Sequence, residues 1–227
     1  MSSEGQLNIT KSVIIRNNSI YVDGNIIYEY FKNDNFLNDS YESLDNNYPK
    51  FYKMDVLGKL GMLATHLLLK DSDIENHLPS DVGIVLSNSN SSLDADIRYF
   101  DSVKSFPSPA LFVYTLPNIV IGEISIRYKL KGENAFFIRQ QFDADWLHFY
   151  ISHLFQNNKI NACIGGWIES IDSNHDVCLF LTERKESENG ITFAPEKLNN
   201  IYGLGVDASN FKLQTSNIKH QTLNIKH

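Results

Sequence analysis

The chain has 227 residues, of which 42% are hydrophobic, and a formal net charge of −7. This length and hydrophobic content predict one folded domain over residues 1–227 and exclude an intrinsically disordered chain. The acidic charge excludes a non-specific nucleic-acid binder, because such binding depends on Lys and Arg side chains that neutralise phosphates.

Targeting and redox signals predict a cytoplasmic protein. No apolar run reaches the ~18 residues of a transmembrane helix, so no membrane span is expected. Residues 1–6 lack the basic and apolar regions of a signal peptide. Cys163 and Cys178 each lie in an apolar, strand-like run, where a buried free thiol is commoner than a disulfide.

The first half of the chain predicts a hairpin, a loop, a helix and a strand. Residues 12–31 alternate apolar and polar side chains around an Asp-Gly pair, which is a hairpin signal. Residues 32–49 are rich in Asn and Asp and predict a loop. Apolar residues at helical spacing predict an amphipathic helix over 53–69, and the apolar run 81–87 predicts a strand buried on both faces.

In the second half, the segment after Pro117 gives conflicting signals. Its β-branched residues favour a strand, whereas a proline just inside the start favours a helix. His175 and Asp176 predict a solvated pair in a polar turn. The remaining patterns predict helices over 93–104 and 146–155, strands over 134–139, 160–165 and 177–184, and a mobile or partner-stabilised tail over about 205–227.

Four short motifs follow one another between about residues 50 and 185. Residues 51–61 hold a Lys-Met-Asp phrase before a small-residue, apolar run. Leu-Pro-Asn at 116–118 opens the next segment, and Leu-Lys-Gly-Glu-Asn at 130–134 closes it. A strand that ends in Gly-Gly at 162–166 precedes the run 176–184. In this order and spacing, the motifs resemble the N-terminal half of the β-ketoacyl synthases of the thiolase superfamily.

The resemblance implies an α/β fold with a layered α/β/α arrangement and a five-stranded mixed, mostly parallel sheet. The alternation of strands and helices independently predicts a layered α/β unit. The resemblance also implies that the segment after Pro117 is a buried helix, with Asn118 kept for the helix entry. It further implies that the strand over 177–184 is antiparallel to its neighbours.

Gln141 stands where the family pattern, counted from Gly132, places the nucleophilic cysteine. A glutamine cannot form a thioester, so no catalytic residue is predicted. The resemblance places the histidines that act with the cysteine in a second half of the fold, and this chain stops about where the first half ends. We therefore expect no condensing activity of the chain alone, and no cofactor or metal.

Glutamine at this position also occurs in chain-length-factor subunits of heterodimeric ketosynthases and in decarboxylating loading ketosynthases. The second use needs the absent histidines, so the first fits better. Chain-length factors usually have small residues next, whereas Phe142 follows here, and Gln141 and Phe142 are candidate acyl-pocket residues. The plain alternative is that Gln141 is an ordinary polar residue at a strand-to-helix turn.

Other candidate chemistry is weak. Cys163 lies inside an apolar strand, where a thiol has a raised pKa and is usually inert. The same interpretation applies to Cys178. His148 and His153 are five residues apart and lie on different faces of one helix, so they do not form a metal pair.

The resemblance implies a dimer in which the strand before the nucleophile position pairs with its counterpart across a two-fold axis. The candidate interface residues are Asn134, Ala135, Phe136, Phe137 and Ile138. Two adjacent Phe residues on an edge strand need a cover, which a large apolar interface would supply. The expected partner is a Cys-bearing β-ketoacyl synthase, or a second copy of this chain. Because acyl carrier proteins are acidic, a surface of charge −7 suits them poorly, and the partner subunit is expected to bind them.

The sequence thus favours a non-catalytic, chain-length-factor-like subunit of a 3-oxoacyl-carrier-protein synthase complex. By analogy, its pathway is of the fatty-acid or polyketide type, such as those that make aryl polyene pigments. The alternative is a self-associating acyl-binding or scaffold remnant of a ketosynthase that has no enzymatic partner.

Overall fold

The structure is a computed structural model that describes residues 5–30, 35–44, 47–171, 174–184 and 191–204. The strands are β1 (Leu7–Arg16), β2 (Ser19–Val22), β3 (Asn25–Glu29), β4 (Val82–Asn88), β5 (Asn134–Ile138), β6 (Ala162–Ile171), β7 (Asn174–Arg184) and β8 (Ile191–Thr192). They form one eight-stranded sheet in the order β3-β2-β1-β7-β6-β4-β5, with β8 paired to β1.

The helices pack on both faces of this sheet. They are α1 (Phe36–Ser43), α2 (Val56–Leu69), α3 (Leu93–Val103), α4 (Pro109–Val113), α5 (Ile119–Tyr128), α6 (Ala144–Gln156) and α7 (Pro195–Tyr202), with 3₁₀ turns at Pro49–Lys53, Ile74–Asn76 and Pro79–Asp81. Val13 and Ile15 of β1 face a core that includes α2 and α5, whereas Ile14 faces a core that includes α6 and α7. The predicted α/β/α layers are confirmed.

The sheet is larger than predicted but has the predicted directions. β1, β4, β5 and β6 run one way and β7 runs the other way, so four of the five predicted strands are mutually parallel in direction. The strand number was wrong, because β2, β3 and β8 add antiparallel pairings beside β1. Two tight turns connect these strands: Asn17-Asn18 joins β1 to β2, and the predicted Asp23-Gly24 joins β2 to β3. All four residues have positive φ, as type I′ hairpin turns require.

α5 is helical although its sequence favours a strand. Its β-branched residues Val120, Ile121 and Ile124 are buried against α2. Gly61 of α2 permits this close approach, since an added Cβ would lie 2.2 Å from Val120 Cγ2. Asn118 stands at the N-cap position but its side chain makes no capping hydrogen bond, so tertiary packing explains the helix better than local propensity.

Two segments predicted to be irregular contain helices. The loop predicted over 32–49 holds α1, whose Phe36 and Tyr41 are buried, and the Tyr41 ring stacks on Phe51 with centroids 3.7 Å apart. After position 190, α7 buries Leu198 and Ile201. The tail predicted over 205–227 lies outside the described residues. No helix in the described part of the chain has the length and apolar character that crossing a bilayer requires.

Candidate functional site

Gln141 lies in the turn between β5 and α6, and its side chain is exposed. Seven non-glycine residues of the described chain have positive φ, and Gln141 is not among them. The backbone at Gln141 is therefore not in the strained left-handed region that marks many nucleophile-bearing turns.

The start of α6 is already occupied by a carboxylate. Asp143 is the N-cap residue, and its side chain accepts a hydrogen bond of 2.9 Å from the Trp146 N–H. Arg139 forms an ion pair with the same carboxylate. The Trp146 hydrogen bond and then Arg139 hold the pKa of Asp143 below its usual value. This turn thus stabilises an anion that the chain itself supplies.

Phe142 is buried in the core that includes α6 and α7. Its ring stacks on that of Tyr202, with centroids 4.1 Å apart and planes 3° from parallel. Tyr202 is the last residue of α7. The second candidate acyl-pocket residue is therefore covered by this chain's own C-terminal helix, whereas Gln141 beside it is open to solvent.

A buried arginine fixes the end of α7 over Phe142. The Arg16 guanidinium forms an ion pair with Asp176 and donates hydrogen bonds to the carbonyl oxygens of Tyr202 (2.9 Å) and Leu204 (2.8 Å). The Tyr202 hydroxyl donates to Asp176 Oδ2 at 2.6 Å, and the guanidinium carbon lies 4.7 Å from the Tyr202 ring centroid. Phe142, Arg16, Asp176 and Tyr202 are called the sealed site below.

The prediction of a solvated His175-Asp176 pair was wrong. Both residues belong to β7. Asp176 is part of the sealed site, and His175 Nδ1 lies 3.2 Å from Ser170 Oγ, while burial lowers the pKa of His175. Local polarity suggested a turn, but the partner of Asp176 is 160 residues away in sequence, and no local pattern signals it.

β5, which carries the candidate interface residues, is an end strand of the sheet. Phe136 packs against the core that includes α2 and α5. Phe137 points to the opposite face, where its ring meets Trp146 (4.4 Å between centroids) and Tyr150 (5.0 Å). Both Phe side chains are half-buried by this chain, and Ile138 is the exposed apolar residue of the strand.

The free side of β5 can be assigned from its backbone. Glu133 O accepts from Ile84 N at 2.9 Å, and Arg139 N donates to Asn88 O at 2.8 Å, so odd-numbered residues bond to β4. Because bonding directions alternate along a strand, Asn134, Phe136 and Ile138 direct their N–H and C=O groups to the open edge. These groups are available for pairing with another strand.

Two adjoining clefts lie at the start of α2, and both are lined by Asp55 and Leu57. They are open to solvent, and the space that they enclose fits about one water molecule at most, far less than a ligand pocket. Asp55 caps α2 by accepting a 2.8 Å hydrogen bond from Gly58 N, and burial raises its pKa to about 6. Neither cleft is lined by Gln141 or Phe142.

The thiols have the inert character predicted for them. Cys163 and Cys178 are free and fully buried, and burial raises both pKa values, that of Cys178 to about 12. The His148 ring lies 5.1 Å from that of Phe193, whereas His153 contacts Asn157. Within the described ranges, no group of three or more His, Cys, Asp or Glu residues is placed to hold a metal ion.

Comparisons with known proteins identify the fold. No protein-family model matches the chain, and no curated protein sequence matches it. Among solved structures, it is similar to the ishigamide ketosynthase/chain length factor, with a TM-score of 0.59 and 19% identity over 82% of this chain. It is also similar to the AntDE:AntF complex of a type II polyketide ketosynthase with its acyl-carrier protein (TM-score 0.54, 13% identity, 79% of this chain). A third similar structure is the complex of the ketosynthase ApeO with its chain length factor ApeC from Xenorhabdus doucetiae (TM-score 0.53, 12% identity, 87% of this chain).

These similarities confirm the predicted thiolase-like fold of ketosynthases and chain length factors. The chain spans 64% and 63% of the matched chains in the first two structures and 90% of the matched chain in the third.

Proposed function

We propose that this chain is a non-catalytic, chain-length-factor-like subunit that pairs with a Cys-bearing β-ketoacyl synthase through β5. One observation carries the proposal: a chain with a ketosynthase-type fold has an exposed glutamine at the nucleophile position and an open edge strand directly before it. All three similar structures named above are described as containing ketosynthases, two of them together with a chain length factor. In this proposal residues 1–227 form one domain, which the single sheet of the described residues supports.

The proposed role of the chain is to limit the acyl tunnel at the subunit interface. Phe142 fills the space beside the former nucleophile, and α7 fixes it there, so an acyl chain has no open pocket in this subunit. Gln141 is exposed and is the candidate residue that faces the partner's tunnel. The partner would supply the catalytic cysteine and histidines. It would also supply the site for the acyl carrier protein, because the net charge of −7 on this chain repels an acidic carrier protein.

The proposed setting is polyketide-type synthesis, with aryl polyene pigments as the pathway candidate. A cytoplasmic location is part of the proposal, and the two free, buried thiols support a reducing compartment. The competing function is a self-associating scaffold or acyl-binding remnant, which would use the same edge strand to pair with a second copy.

The first experiment is co-expression with a Cys-bearing ketosynthase encoded beside this chain's gene, followed by light scattering of the purified material. We expect a 1:1 heterodimer that Ile138→Pro disrupts. Proline at 138 removes an N–H group that faces the open edge and leaves the hydrogen bonds to β4 in place. Ile138→Val is the matched control and should keep the complex.

Ile138→Pro tests the interface without disturbing the fold. A charged residue in place of Phe136 or Phe137 would disturb both, since the two rings contribute to the cores. A 1:1 heterodimer of equal affinity with Ile138→Pro would contradict pairing through β5. A stable monomer or homodimer that does not bind the ketosynthase would overturn the proposed function and favour the competing scaffold function.

A further inference from the structure

The apolar face of α3 points away from the other described elements of the chain. Leu93, Ile97 and Phe100 are spaced at i, i+4 and i+7, so they share one face of the helix. All three side chains are exposed, Ile97 by 54% and Phe100 by 67%. The buried residue of α3 is Ala95, two positions after Leu93 and thus on the opposite side. A surface helix normally buries its apolar stripe, so this arrangement indicates a cover outside the described part of the chain.

The exposed apolar surface continues through the next turn and α4. Phe106 is 78% exposed and Phe112 is 58% exposed. With Phe100, these rings alone expose roughly 400 Å², since a Phe side chain offers about 200 Å². The α3–α4 surface consists of Leu93, Ile97, Phe100, Val103, Phe106, Phe112, Val113 and Leu116. Single exposed apolar residues are common on proteins, but this many within one helix–turn–helix stretch indicate a contact surface.

The α3–α4 surface begins beside the end of β5. Ile138, the last residue of β5, is the register partner of Asn88 in β4. The Asn88 side chain accepts from Ser91 N at 2.9 Å and donates to Ser91 O at 2.8 Å, which fixes the entry to α3. Ser92 Oγ then donates to Thr115 O at 2.7 Å and ties this entry to the segment after α4. A subunit paired with β5 therefore lies next to the start of α3, where the α3–α4 surface begins.

The charges of α3 favour an apolar protein partner over a membrane or an acidic carrier protein. Arg98 pairs with Asp94 at 3.1 Å, and Lys104 pairs with Asp101 at 2.7 Å, both within the helix and its C-cap. Asp96 adds a further acidic group. The surface thus has no free basic rim that would attract anionic headgroups or an acidic protein.

We propose that the same ketosynthase subunit that pairs with β5 also buries the α3–α4 surface. This inference rests on the proposed function and adds a second contact area to it. A five-residue strand offers few inter-chain hydrogen bonds. Together with the α3–α4 surface, the contact approaches the ~800 Å² per partner of a standard stable interface.

The test compares two kinds of exposed apolar residue. The double variant Phe100→Ser/Phe106→Ser alters the α3–α4 surface. Ile26→Ser is the control, because Ile26 is 52% exposed and lies on β3, at the opposite end of the sheet from β5. We expect the double variant to bind the co-expressed ketosynthase at least tenfold more weakly and the control to bind within twofold of the unaltered chain. All three side chains are exposed, so thermal unfolding of the isolated variants should match that of the unaltered chain.

The outcomes separate this inference from the proposed function. If the unaltered chain forms the heterodimer and the double variant binds equally well, the α3–α4 surface is not part of the interface, and the proposed function stands. If the unaltered chain forms no heterodimer, both proposals fall. If the double variant instead abolishes a homodimer, or binding to phosphatidylcholine vesicles, a second copy or a membrane covers the surface, and the ketosynthase assignment is overturned.

Discussion

The sealed site and the α3–α4 surface show opposite relations between polarity and burial. At the sealed site, a charged Arg16 is buried, and its hydrogen bonds fix α7 over Phe142. At the α3–α4 surface, phenylalanines are exposed while the small Ala95 is buried. A buried charge needs specific partners, whereas an exposed apolar surface of this extent marks a contact site. This difference supports the proposal that the chain acts through its surface, since Phe142, a candidate acyl-pocket residue, is buried under α7.

The largest expected effect tests whether the sealed site is structural. Phe142→Ala should lower the free energy of unfolding by about 3 kcal/mol, because it removes a buried ring and leaves a cavity beside Tyr202. Gln141→Ala, one residue earlier and exposed, is the matched control and should change it by less than about 0.5 kcal/mol. Urea unfolding of the isolated variants measures both values. Equal losses of unfolding free energy in Phe142→Ala and Gln141→Ala would show that Phe142 is not packed under α7.

The second prediction compares the two N-cap aspartates, which lie in different regions. Asp55 at the start of α2 has a pKa raised to about 6, mainly because burial penalises its charged form. Asp143 at the start of α6 has a lowered pKa, mainly because it accepts the Trp146 N–H hydrogen bond and also because of Arg139. The folded protein therefore retains the Asp55 proton between about pH 4 and pH 6, where the unfolded chain has released it.

Ionisation of Asp55 should thus lower stability by on the order of 2 kcal/mol as pH rises from 4 to 6. Asp55→Asn preserves the cap and removes this decline. The check is the difference in unfolding free energy between Asp55→Asn and the unaltered chain across pH 4–7, which should grow with pH and level off above 6. Asp143→Asn should show the opposite sign, but below about pH 4: a group with a lowered pKa stabilises the folded state above its unfolded value, and this stability is lost as pH falls through its folded value. If the unfolding free energies of Asp55→Asn and of the unaltered chain changed with pH in parallel, the raised pKa of Asp55 would be contradicted.

The sequence predicted the order of elements well because periodicity and motif spacing are local signals. The helix α3, the strand β4 and the amphipathic helix α6 follow from the spacing of apolar residues. α5 required the family pattern, since its β-branched residues point to a strand and its helical form depends on packing against Gly61.

The candidate site was predicted less completely, because its contacts are distant in sequence. Gln141 was located from motif spacing, but the cover over Phe142 comes from Tyr202, and the pairing of Arg16 with Asp176 joins residues 160 positions apart. The sequence predicted a helix over 93–104. It carried no information on which side of that helix the core lies, so the exposed stripe became visible only in three dimensions.

The smallest expected effect is at Gln141, where the family pattern places the nucleophile. Gln141→Cys should give an ordinary thiol with a pKa near ~8.5, because the Asp143 carboxylate already accepts the Trp146 N–H hydrogen bond at the start of α6. The pH dependence of alkylation by iodoacetamide measures this pKa, and mass spectrometry after incubation with an acyl thioester should find no acylated protein. Gln141→Cys/Asp143→Asn is the matched variant: without the nearby carboxylate, the thiol pKa should fall by less than about one unit. A pKa near 6 in Gln141→Cys, with rapid acylation, would mean that this turn can activate a nucleophile, and that the glutamine rather than the sealed site accounts for the proposed non-catalytic role.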